Sequence, residues 1–103
     1  MQDKQSITDK EKEAYAERLQ AEIDSWNADI NKLRAKAKLA SADVQQKYYE
    51  EIEQIEERRD ALEARFNELK AANAGAWDDL RQGVERAWQD MSKAMKNAAS
   101  RFQ

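Results

Sequence analysis

Between Thr8 and Ala74 the chain contains neither Gly nor Pro, and its large apolar residues recur at steps of four and three. Nothing in that span forces the backbone to turn, and the spacing is that of a helix with one apolar seam. The first seam runs Leu19, Ile23, Trp26, Ile30, Leu33, Ala37, Ala40, Val44. The phase then slips through Tyr48 to Ile52, a stutter of the kind that locally unwinds a coiled coil. A second seam follows at Ile52, Ile55, Arg59, Leu62, Phe66 and Leu69. Arg59 is costly there unless its charge reaches solvent or a carboxylate.

Composition narrows the fold further. Of 103 residues, 38% are charged and 41% apolar, and 18 of the apolar residues are Ala. The large apolar residues that remain are enough for a narrow seam but not for a thick core. Abundant Ala, Glu, Lys, Leu and Arg with helical spacing marks a coiled-coil or long-helix protein. Low hydrophobicity alone would fit a disordered chain, but a net charge of only −3 and strict apolar spacing argue against it.

The expected boundaries follow from end signals. Residues 1–8 are polar and are expected to fray. Thr8-Asp9-Lys10-Glu11 fits a capping box, with Asp9, Glu11 and Glu13 near the positive end of the helix. The sequence predicts one helix from 9 to 73, about 100 Å long if continuous. Ser41 marks the alternative, a break near 41–43 that makes a three-helix bundle with Leu33 near Ile55, Trp26 near Leu62 and Leu19 near Leu69. Asn73-Ala74-Gly75 is the clearest stop, since Gly suits the left-handed residue that ends a helix.

A second helix is expected over 77–102, built on an 11-residue repeat. Ala76-Trp77-x-Asp79-Leu80-x-x-x-Val84 is echoed by Ala87-Trp88-x-Asp90-Met91-x-x-x-Met95, and a third copy ends at Phe102. Eleven residues are nearly three turns, so equivalent positions form an almost straight stripe. A reversal at Asn73–Gly75 matches Leu80 to Leu69, Val84 to Phe66, Trp88 to Leu62, Met95 to Ile55 and Phe102 to Tyr48. The expected architecture is therefore an all-α single domain. It is a long-helix coiled coil with a C-terminal hairpin arm, or a three-helix bundle if the chain breaks near Ser41. The residues expected to carry helix packing are Leu19, Ile23, Trp26, Ile30, Leu33, Ile52, Ile55, Leu62, Phe66, Leu69, Trp77, Leu80, Val84, Trp88, Met91, Met95 and Phe102.

Chemistry is harder to place. The chain has no Cys and no His, which removes disulfides, thiol chemistry, Cys/His zinc sites and His general bases. No phosphate-binding Gly-rich loop, nucleophile elbow or triad is present. The acids Glu50, Glu51, Glu53, Glu56 and Glu57 read as a solvated face, because no Asp/Gly loop shapes a cation site. In the basic run Lys32, Arg34, Lys36 and Lys38, the three lysines do not all share one face and no aromatics interleave, so nucleic-acid binding is not expected. Folded back, or paired antiparallel between chains, these two runs face each other. No catalytic, cofactor or metal residues are expected, and the chain reads as a non-enzyme. No apolar run reaches membrane-spanning length and no leader is visible, so a cytoplasmic location is expected.

Two stretches carry a resemblance: Ile23-Asp24-Ser25-Trp26-Asn27-Ala28-Asp29-Ile30 with the Lys/Ala-rich run after it, and Ala76–Leu80, Gly83-Val84 and Ala87–Met91. Over roughly residues 12–102 the chain resembles small bacterial coiled-coil proteins of the cyanobacterial-type stress-response family. That resemblance implies a soluble helical protein linked to stress response and no catalytic or binding residues. The expected function is a structural or interaction protein acting through helix–helix association, most simply as a homo-oligomer. The alternative is a peripheral protein that coats a lipid surface or granule with its Trp77/Trp88 face.

Overall fold

The structure, a computed structural model, describes residues 8–101. Residues 1–7, Phe102 and Gln103 lie outside the described residues, and with them the expected frayed tail and the match of Phe102 to Tyr48. The described chain is all-α, with α1 over Asp9–Leu39, α2 over Ala42–Lys70 and α3 over Ala74–Arg101. The helix expected to run unbroken from 9 to 73 is therefore interrupted, and the three-helix alternative is the arrangement found.

The start of α1 forms as its sequence dictates. Thr8 Oγ1 accepts from the Glu11 amide, and the Glu11 carboxylate accepts from the Thr8 amide, which completes the capping box. The break between α1 and α2 has a different origin. Ala40 and Ser41 are both extended, with φ/ψ of −80°/161° and −64°/159°. Ser41 stands at the N-cap of α2, yet its side chain makes no capping hydrogen bond. The side-chain amide of Gln45 instead donates to the carbonyls of Ala37 and Lys38, at 3.1 and 3.3 Å. It satisfies acceptors that a continuing helix would have used. The break is thus held by a residue one turn downstream of it and by the packing of α1 on α2, not by turn residues.

The second turn is also built differently from the expectation. No residue, glycine included, has positive φ among those described. Helix α2 ends at Ala71 in ordinary right-handed geometry. Asn73 caps α3, its side-chain oxygen accepting from the Ala76 amide at 3.0 Å. Gly75 therefore lies inside the first turn of α3, which starts three residues before Trp77.

Helix α2 is the central element. It packs closely along both α1 and α3, whereas the backbones of α1 and α3 rarely come near each other. Arg59 reaching Asn27, and Arg34 reaching Glu56, show α1 antiparallel to α2. Arg101 reaching Glu51, and Gly83 lying against Arg65, show α3 antiparallel to α2. Helices α1 and α3 are consequently parallel. Among the described residues the core is one seam of fifteen buried residues drawn from all three helices, from Leu19 and Ile23 through Leu62 and Leu69 to Val84 and Met91.

Candidate interaction surface

The expected packing residues mostly converge. Leu19, Ile23, Trp26, Ile30, Leu33, Ile52, Ile55, Leu62, Phe66, Leu69, Trp77, Val84 and Met91 are all buried in the one cluster. Leu80, Trp88 and Met95 pack against its edge and remain half-buried. Trp88, matched to Leu62 by a simple hairpin, lies on Trp26 with ring centroids 4.7 Å apart. Trp77 meets Tyr15 edge-on at 5.8 Å, and the Lys12 ammonium stands 5.3 Å from the Trp77 ring centre.

These two aromatic pairs explain the spacing of the helices. Tyr15 and Trp26 are eleven residues apart, as are Trp77 and Trp88. The repeat of α3 thus has a counterpart in α1, and the two stripes face one another in parallel. Bulky rings at each level hold the α1 and α3 backbones apart. The α3 repeat was plain in the sequence; its partner stripe was not, because Tyr15 lies off the 4-3 seam and is invisible until α1 and α3 are seen side by side.

A groove follows from that separation. It is lined by Tyr15, Arg18, Leu19, Glu85, Trp88 and Gln89 and holds about 300 Å³. Trp88 continues it into a shallower depression with Ser92, Lys93 and Lys96. Burial, reinforced by the carboxylate of Glu85, raises the Tyr15 hydroxyl above its ordinary pKa, while Arg81 and Arg18 pull it down. The Trp77 indole N–H is buried and has no hydrogen-bond partner. The groove between α2 and α3 is more polar, lined by Glu51, Gln54, Arg58, Asp90, Lys93 and Arg101 among others.

Several of the charged residues singled out by sequence join neighbouring helices. The Arg34 guanidinium is paired with Glu56, and Arg101 with Glu51 at 3.0 Å. Arg59 lies in the seam half-buried, its guanidinium donating to Asn27 Oδ1 at 3.0 Å and to Asp60 at the rim. The cost of a seam arginine is thereby met by an amide on α1 and a carboxylate at the surface. Among the described residues, no three acids gather in a way that could hold a metal ion.

Apolar exposure is concentrated at one end of the bundle. Leu39 is 89% exposed, Val44 38% and Tyr49 36%, all within ten residues at the α1–α2 corner. Val44, the last residue of the first seam by sequence, is therefore left out of the core. No helix of the described chain is long and apolar enough to cross a membrane. No family model, curated protein or solved structure matches this chain.

Proposed function

We propose that this is a non-enzymatic interaction protein that acts through helix–helix association, as a cytoplasmic homo-oligomer with a role in stress response. The observation that carries the association is the exposed corner of Leu39, Val44 and Tyr49, the other large apolar residues among those described being buried or half-buried. Apolar side chains left in water at one end of a narrow bundle favour a helical partner. The stress-response element rests on the resemblance carried by the Trp26 and Trp77–Met91 stretches. Light scattering over a dilution series tests the association. A mass above that of the single chain at any concentration reached supports it; the single-chain mass throughout removes it.

A lipid-surface reading is favoured by one feature only. Half-buried Trp88 stands beside Lys93 and Lys96 on the outer side of α3, a pairing suited to an interfacial helix. Flotation with anionic vesicles decides it. Loss of flotation in a Trp88→Asp variant supports lipid contact, and no flotation of the natural chain ends it.

A further inference from the structure

The register between α1 and α2 has a centre that the monomer does not use. The Asn27–Arg59 contact is centred on Asp43 and the Arg34–Glu56 pair on Gln45, so the antiparallel register is centred on Val44. The chain reverses earlier, at Ala40–Ser41. The first two turns of α2, residues 42–48, therefore overhang the end of α1. At the opposite end α3 overhangs α2 in the same way, but there α1 covers it: Trp77, under Tyr15 and Lys12, is 4% exposed. Over the α2 overhang no third helix lies among the described residues. The described part of helix α3 reaches Arg101, beside Glu51, and Val44 is 38% exposed.

We infer that α1 is exchanged between two copies of this chain, with Ala40–Ser41 as the hinge and Val44 on the two-fold axis. The inference rests on the self-association proposed above and gives its mode, the exchange of α1 with a second copy. The hinge suits the exchange. Its residues are extended by context only; Ala is the best helix former, and Ser41 makes no side-chain cap to lose. Rotating two ψ angles from near 160° to helical values joins α1 and α2 into one helix. The carbonyls of Ala37 and Lys38, now held by Gln45 and, for Ala37, also by the Ala40 amide, then accept from the amides of Ser41 and Ala42.

In the exchanged pair two such helices run antiparallel. Because their register is already centred on Val44, Arg34 meets Glu56, Asn27 meets Arg59, Trp26 meets Trp88 and Tyr15 meets Trp77 across copies as they do within one. The basic run Lys32–Lys38 faces the acidic run Glu50–Glu57 of the other copy. The gain is confined to the corner, where Val44 meets Val44 of the second copy and Ala40 meets the second copy's Tyr48. Exchange of an identical element is a low-cost route to a dimer, since the contacts already exist.

The test uses the full chain, unfolded and refolded at high concentration so that exchange can equilibrate. Light scattering then gives twice the 12.0 kDa chain mass. Ala42→Pro is the discriminating variant. Position 42 opens α2, where Pro is favoured, and Ser41 is already extended as a residue before Pro must be. In one continuous helix the same Pro is interior, which disfavours the joined form by roughly two orders of magnitude. The variant keeps its helical circular dichroism and loses the dimer. Val44→Glu, exposed in the monomer, sets two like charges on the axis and lowers the dimer fraction about tenfold or more. Finally, Arg34→Cys and Glu56→Cys chains are refolded together and joined by a short thiol-specific linker. Exchange gives a covalent heterodimer. A dimer that persists in Ala42→Pro and yields no heterodimer overturns the exchange but leaves self-association standing. A natural chain that stays monomeric after concentrated refolding overturns both.

Discussion

Leu62 shows what a single side chain contributes in a bundle this narrow. It is 0% exposed in the C-terminal half of α2, the helix shared by both interfaces. Leu62→Ala leaves a cavity that neither neighbour can close, at a cost of about 2–5 kcal/mol. That is a large share of the ~5–15 kcal/mol of a whole domain, so urea denaturation should show a much lower midpoint or no folded baseline. Gly83 predicts the opposite sign. It is interior to α3, its φ is not positive, and a Cβ there would meet only Arg65 Cδ, at an ordinary contact distance of 3.8 Å. Gly83→Ala is expected to add about 1 kcal/mol, seen as a rise in Tm of roughly 4–8 °C. Tyr15 gives a pH dependence. Burial first, then Glu85, raise its pKa above 10.0, so the folded state keeps a proton that the unfolded chain has released. Stability is full below that value and falls as pH rises through the raised pKa. Tyr15→Phe should flatten this decline in urea midpoints measured between about pH 9 and 11.

At the scale of the helix, some features could be read directly and others could not. The Thr8/Glu11 box and the seams from Leu19 to Leu69 depend on residues close in sequence, and they fold as their spacing requires. The break at Ala40–Ser41 depends on two things that no local pattern carries: the return of α2 onto α1, and the reach of Gln45 to two carbonyls. Local propensity favours the unbroken helix; tertiary packing overrides it. Gly75 misleads for a related reason. Gly is the commonest stop residue, but Asn73 supplies a cap three residues before Ala76, and the helix starts over the glycine. The α1–α3 groove was hidden because its walls come from helices joined only through α2. Gln45→Ala tests the account of the break. It leaves two carbonyl groups without that donor and should cost about 1 kcal/mol. Its effect should vanish in a variant whose α1 and α2 are joined, because the backbone then supplies the donors.

For the whole molecule, the order of the helices sets what assembly can look like. The single chain is a rod of 61 × 20 × 18 Å with a radius of gyration of 16.8 Å. A joined α1–α2 helix alone would span about 90 Å at 1.5 Å per residue. Small-angle scattering therefore separates the two forms by length as well as by mass. The short second connection, Ala71–Asn73, and the close packing of α2 on α3 keep that pair together in both forms.

The facing stripes of Tyr15 and Trp26 against Trp77 and Trp88 repeat every eleven residues in both helices. The bundle is therefore divisible. Cutting one eleven-residue period from α1 and α3, with an equal length from α2, should bring the surviving rings back to face each other. The shortened chain should fold with the same handedness and connections, and melt at a lower temperature. An excision of nine residues per helix should turn the stripes away from one another and leave no cooperative melt. Length in this architecture is quantised, and natural variants of it should grow or shrink by whole periods.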